Sequence, residues 1–191
     1  MEKSEVLERF KKTGALLEGH FLLSSGLHSS VYLQCALVLQ YPDQAAEFGD
    51  AIADRFRELN IQVVASPAIG GLIIGHEVAR ALQARFIWTE RQDGQMTLRR
   101  GFSVSPGERT LVVEDVITTG GSTCDTIDAM RSAGAEVVAA ASIIDRSGGH
   151  SDVGVPLSAM AILSVPSVDP LTCAACLRGE PLVKPGSRKS G

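Results

Sequence analysis

In Leu111-Val-Val-Glu-Asp-Val-Ile-Thr-Thr-Gly-Gly-Ser-Thr123 an apolar run delivers two adjacent carboxylates, Glu114 and Asp115, into a loop of hydroxyls and glycines. Thr110 to Glu114 reads as a buried strand. Beyond the loop, Ser122 has Asp125 three residues on, the spacing of a capped helix start, and Gly134 terminates that helix. Its inward face carries Ile127 and Met130. Gly120 and Gly121 let backbone amides turn toward a ligand with no Cβ in the way. The helix start adds its dipole and free amides, and Thr118, Thr119, Ser122 and Thr123 add hydroxyls. This is a phosphate cradle. The two carboxylates cannot bind phosphate, but they accept hydrogen bonds from sugar hydroxyls. A sugar phosphate satisfies both halves of the site.

Strand and helix patterns alternate on either side. From Asp43 to Leu59, the residues Ala45, Phe48, Ile52, Phe56 and Leu59 share one helical face, opened by Pro42 and closed by Asn60. Gln62 to Ser66 reads as a buried strand. Gly70-Gly71 then turns the chain into a helix over Leu72 to Ala84. Phe86 to Thr89 is the next strand, with Trp88 expected in the core. The polar stretch Glu90 to Arg100 reads as a mobile loop, and Glu136 to Ile144 as one more strand. The pattern predicts an α/β fold with a central, mostly parallel sheet flanked by helices. Ligands of such folds sit at the carboxyl ends of the strands. Five of the eight prolines lie beyond residue 150, so an irregular C-terminal tail is expected to pack on a body ending near Gly149.

Composition narrows the function classes. A chain of 191 residues, 45% hydrophobic and 21% charged, suits one globular domain. A net charge of −4 argues against coating nucleic acid, and no apolar run approaches the ~18 residues of a membrane span. The charged N-terminal segment has no apolar signal core, so the four cysteines are expected to be free thiols in the cytoplasm. Two nucleotide signatures are excluded. His76 and Glu77 stand where a Walker-type loop needs Lys and Ser or Thr, and no G-x-G-x-x-G follows a strand. Cys173-Ala-Ala-Cys176 has the spacing of half a zinc site, but no partner pair is apparent, and it reads as a structural turn carrying two thiols. Cys35 reads as a packing residue and His28 as a surface or packing histidine.

Val112 to Thr123 resembles the phosphoribosyl-pyrophosphate (PRPP) motif of type I phosphoribosyltransferases. Phe21-Leu-Leu-Ser-Ser-Gly-Leu-His-Ser29 resembles the N-terminal signature of the orotate phosphoribosyltransferases. The pattern continues through Pro67-Ala-Ile-Gly-Gly71, Glu90-Arg91, Arg99-Arg-Gly-Phe102, Asp145-Arg-Ser-Gly-Gly149 and the tail from Lys184 to Arg188. The resemblance implies a type I phosphoribosyltransferase fold with a small N-terminal hood (1–36), a core (37–149) and a C-terminal extension (150–191). It implies transfer of phosphoribosyl from PRPP to orotate, giving orotidine 5′-monophosphate and pyrophosphate, with Mg²⁺ as cofactor. Mg²⁺ keeps waters and substrate oxygens, so no protein metal ligand is assigned.

Carried over onto this chain, Glu114 and Asp115 would hold the ribose hydroxyls and, with Arg91, form the catalytic set. PRPP would meet Glu114, Asp115, Val116, Ile117, Thr118, Thr119, Gly120, Gly121 and Ser122, with the amides of Pro67 to Gly71 against its pyrophosphate. Orotate would meet Thr118 and Arg146, and Ser25, Gly26 and Ser29 would line the base pocket from the hood. The implied partners are these two small molecules and a second copy of the chain in a homodimer, with neither nucleic acid nor membrane. Ser24, Gly70 and Gln92 stand where many relatives carry lysine, which leaves Arg91, Arg99 and Arg100 to neutralise pyrophosphate. Two other readings share the PRPP motif: a transferase for a purine base, and a PRPP-sensing regulator. The regulator would need a nucleic-acid-binding element, for which the N-terminal segment is too short.

Overall fold

The computed structural model describes residues 1–23, 26–165 and 167–185. Ser24, Ser25 and the tail positions Gly186 to Arg188 lie outside the described residues. The chain opens with α1 (Lys3–Lys12), β1 (Leu16–Leu22), β2 (His28–Leu33), α2 (Ala36–Leu39) and α3 (Pro42–Ala53). It continues through β3 (Val63–Pro67), α4 (Leu72–Leu82), β4 (Arg85–Gln92), β5 (Gln95–Leu98), β6 (Arg109–Ile117) and α5 (Gly121–Ser132). It closes with β7 (Glu136–Asp145), β8 (Leu157–Ile162), β9 (Ser167–Val168) and α6 (Ala174–Leu177).

Six strands form the main sheet in the order β5-β4-β3-β6-β7-β8, parallel except for the antiparallel edge strand β5. Successive side chains of a strand point to opposite faces, and the core divides accordingly. Val64, Leu111, Val113, Ala139, Ala141 and Ile143 pack with residues of α1, α3 and α4. Val63, Ala65, Ile87, Val112 and Ala140 pack with Ile127 and Met130 of α5. Both faces are covered, which is why β3, β6 and β7 are apolar almost throughout. The alternation continues into the acidic pair, so Glu114 shares the α5 side with Val112, and Asp115 the opposite side with Val113.

A second, smaller antiparallel sheet has the order β1-β2-β9 and includes the hood. The main sheet runs on past Gly149, because β8 pairs in parallel with β7.

Three local expectations change. The stretch Glu90 to Arg100 is mostly a β-hairpin: β4 continues to Gln92 and β5 returns from Gln95. Its two-residue turn is Asp93-Gly94, with φ of 51° and 85°, the pairing that tight hairpins require. Charge concealed the strand pattern, whose buried member on β5 is Met96. The helix after β6 is capped by Gly120, at φ 81°, and not by Ser122, which already lies inside it. A Cβ at residue 120 would also come within 3.0 Å of Val153 Cγ1, so glycine is required there on two counts. Trp88 is only partly buried, stacked edge-on against Phe102 at 4.6 Å, with its indole N–H donating to Glu90.

Candidate active site

The sheet order brings the segments singled out by sequence side by side. Pro67 to Gly71 follows β3, Glu114 to Ser122 spans the end of β6 and the start of α5, and Arg146 follows β7. These three strands are neighbours, and Arg91 lies near the end of β4, which flanks β3 on its other side. Only the C-terminal ends of parallel strands could collect these residues in one place.

Glu114 and Asp115 answer to different surroundings. Thr123 Oγ1 donates a hydrogen bond to Glu114 Oε2, tying the first turn of α5 to the strand end. Burial pushes the Glu114 carboxyl up to about 7; the Thr123 bond opposes this shift and the nearby Asp115 charge adds to it. Thr123 is fully buried, so its hydroxyl serves Glu114 and not a phosphate. Burial also raises Asp115, against the backbone N–H of Val116, its own N–H and the thiol of Cys35. Neither carboxylate has a Lys or Arg ion-pair partner among the described residues.

Thr118, Thr119 and Gly121 are exposed, and the first amides of α5 have no intrahelical partner by construction. Ile117 is buried, so only its backbone faces the site, and its carbonyl accepts from Arg146 N at 2.8 Å. That bond holds the end of β7 against the loop. In the β3–α4 loop the Ala68–Ile69 peptide is cis, and Ala68 N donates to Thr89 O at 2.9 Å.

Arg146 is half-buried, and its Nε has no hydrogen-bond partner among the described residues. Desolvation pulls the guanidinium below its ordinary value, while Tyr32 and Cys35 favour its charged form. Cys35 is itself buried, and desolvation beside the Asp115 carboxylate raises its thiol well above the ordinary value. Cys35 thus connects the end of the hood to both Asp115 and Arg146, and Tyr32 connects it to Arg146.

The loop arginines are engaged within the chain. Arg91 Nη2 meets Asp125 Oδ2 at 2.8 Å and Nη1 donates to Gly94 O, which fastens the hairpin to α5. Arg99 and Arg100 both pair with Glu90. Within the hood, Ser29 is buried and exchanges hydrogen bonds with the backbone of Val31. Gly26 adopts φ 84° in the β1–β2 turn.

Residues 38–155 match the family model of the phosphoribosyl transferase domain. The chain is 51% identical over 189 residues to the orotate phosphoribosyltransferase of Caldicellulosiruptor bescii, covering 99% of this chain and 100% of that one. The orotate phosphoribosyltransferase of Pelotomaculum thermopropionicum is 52% identical over the same shares. The chain belongs to the orotate phosphoribosyltransferases.

The crystal structure of orotate phosphoribosyltransferase from Aeropyrum pernix is similar at a TM-score of 0.67 and 28% identity, covering 83% of this chain and 93% of that one. The Mycobacterium tuberculosis orotate phosphoribosyltransferase in complex with PRPP shares the fold at a TM-score of 0.67 and 23% identity, over 85% and 96% of the two chains. For this orotate phosphoribosyltransferase, the sequence did not announce the parts of Tyr32 and Cys35, which lie about eighty residues before Asp115. No spacing rule links them to it. The engagement of Thr123 by Glu114 had a signal, since Thr123 falls one helical turn inside α5 on its buried face.

Proposed function

We propose that this orotate phosphoribosyltransferase binds PRPP across the β6–α5 loop and orotate beside Arg146, and transfers phosphoribosyl between them to give orotidine 5′-monophosphate and pyrophosphate. The observation that carries this reading is Arg146, a half-buried guanidinium with an unpartnered Nε at the strand end next to the phosphate cradle. An anion completes such a group, and its planar fork matches a carboxylate. Orotate is a base that carries one.

Glu114 and Asp115 accept hydrogen bonds from the ribose hydroxyls and fix the sugar. The amides of Thr118 to Ser122 and the start of α5 receive the 5′-phosphate, and within Pro67 to Gly71 the N–H groups of Ile69 and Gly70 face the pyrophosphate, since Pro67 has none and those of Ala68 and Gly71 donate to the carbonyls of Thr89 and Pro67. Thr118, exposed at the head of the loop, also faces the base. Transfer passes through an oxocarbenium-like state, so the residues act by positioning and by charge. Arg91 supplies positive charge to the leaving pyrophosphate, exchanging Asp125 for it.

Glu114 and Asp115 also fit Mg²⁺. Both offer oxygen, both are desolvated, and neither is neutralised by a protein cation among the described residues. When bound, Mg²⁺ would supply charge that stabilises the departing pyrophosphate, and Glu114 and Asp115 would help to hold it.

The reading includes a homodimer, in which the β4–β5 hairpin covers the neighbouring site, and a cytoplasmic enzyme. All four cysteines are free and no described helix is long and apolar enough to cross a membrane. The test is purified protein with PRPP and Mg²⁺, offered orotate, hypoxanthine, guanine or adenine separately. Pyrophosphate release with orotate alone is expected; turnover of a purine, or of none of the four, overturns the assignment.

A further inference from the structure

His20, His28, Cys173 and Cys176 converge at a point away from the phosphate cradle. One ligand atom from each lies within 4.8 Å of all the others. His20 Nε2 is 2.9 Å from His28 Nδ1, 3.4 Å from Cys173 Sγ and 3.6 Å from Cys176 Sγ, and Cys176 Sγ is 3.3 Å from His28 Nδ1. A tetrahedral zinc with ordinary bond lengths sets N···N at about 3.3 Å, N···S at about 3.6 Å and S···S at about 3.8 Å. The cluster already sits close to that arrangement. We propose that these four residues bind a structural Zn²⁺ that clasps the hood to the C-terminal segment.

Chemistry and packing support the site independently. Two thiolates and two neutral imidazoles neutralise Zn²⁺, so the completed site can be buried without residual charge. Its formation releases the two thiol protons to solvent. His20 Nδ1 lies 3.0 Å from the carbonyl of Glu180, which can only accept. That bond puts the proton on Nδ1 and leaves the Nε2 lone pair aimed into the cluster, the outer support usual for a metal-bound histidine. The β1–β2 register pairs Leu22 with His28, and across the irregularity between Glu18 and Phe21 the His20 ring meets the His28 ring edge-on, with centroids 4.8 Å apart. Four protein ligands close the site, which marks it as structural and not catalytic. The soft donors set it apart from the oxygen donors at Glu114 and Asp115.

The segment after β8 also needs such a fastening. Among the described residues beyond Ala161, Cys173 is the one buried hydrophobic, while Leu171 and Leu177 are largely exposed. The segment is held by the two-residue β9 on β2 and by backbone bonds of Val183 with His20 and Leu22. A segment with almost no core is where small folds use a metal. The sequence displayed only half of the set, because the histidines lie about 150 positions from the cysteines.

The test uses the full chain without an affinity tag, purified under reducing conditions. Elemental analysis should find about one zinc per chain. Replacing zinc by Co²⁺ should give the visible bands of a tetrahedral ion and thiolate charge transfer in the near ultraviolet. Cys176→Ser, at an exposed position, should weaken zinc binding about a hundredfold or more. Chelation should speed proteolysis between residues 169 and 185 while the main sheet stays folded. Folded wild-type protein with negligible zinc and no tetrahedral Co²⁺ spectrum overturns the proposal. Zinc retained undiminished by both Cys173→Ser and Cys176→Ser overturns it equally, as does a Cys173–Cys176 disulfide found in place of metal.

Discussion

A Cβ built on Gly70 would lie 2.7 Å from Asp115 Oδ1. A side chain at residue 70 and this carboxylate position therefore exclude each other, unless Asp115 rotates or the β3–α4 loop moves. This is a physical reason for glycine at residue 70. With Asp115 holding a ribose hydroxyl, Gly70→Ala is expected to raise the KM for PRPP about tenfold, equivalent to about 1.4 kcal/mol, with a smaller change in kcat. Steady-state kinetics and calorimetric titration of PRPP would measure it. An unchanged KM would show that the added Cβ is absorbed without disturbing a PRPP contact of Asp115.

Glu114 makes both stability and activity depend on pH. Its carboxyl lies at about 7 in the folded protein, raised by burial from an ordinary value of 4.5. The folded state therefore keeps the proton to a higher pH than the unfolded state does. The stability from that protonated form is complete below pH 4.5 and is lost as pH rises through 7. Glu114→Gln cannot ionise, so above pH 8 it should be more stable than wild type by up to about 3 kcal/mol, with the difference vanishing toward pH 4.5. Wild-type kcat/KM for PRPP should rise through pH 7 as the carboxylate forms, and the variant should lose that step. Denaturant titrations at pH 5 and pH 8.5 check the first statement; a pH–rate profile checks the second.

Arg146 is expected to trade stability for orotate. Arg146→Met removes a desolvated guanidinium with an unpartnered Nε and keeps much of its volume, so the melting temperature should rise. The same change should raise the KM for orotate about a hundredfold or more, while PRPP binds with nearly the wild-type affinity. Equal loss of both ligands would show that the Arg146 side chain shapes the phosphate loop and does not serve the base alone.

The fold was legible because β3, β6 and β7 are buried on both faces and announce themselves as apolar runs, and because glycine and proline mark their ends. The β6–α5 turn was legible for a related reason: a tight turn from a buried strand into a helix has little freedom in composition. What remained hidden depends on long-range pairing. The β4–β5 hairpin is polar on its open face, so the Asp93-Gly94 turn was its one strong signal. Cys35 reached Asp115, and His20 reached Cys173, only through the packing of the hood. Neither strand periodicity nor residue spacing encodes those contacts.

Arg91 and Asp125 form an exposed pair, each side chain about half accessible. Such pairs contribute little to folding, so Asp125→Asn should change stability by less than about 1 kcal/mol. Its effect should be on the hairpin, because Arg91 would no longer be held on α5 and would be available to pyrophosphate. Asp125→Asn is therefore expected to lower the KM for PRPP severalfold, whereas Arg91→Ala should reduce kcat about a hundredfold with stability nearly unchanged. The double variant discriminates the mechanism. If Asp125 acts only by holding Arg91, its substitution should have no effect once Arg91 is gone, and a double-mutant cycle on KM and kcat reads that coupling directly. Additive effects would assign the pyrophosphate charge to Arg99 or Arg100, which Glu90 now holds.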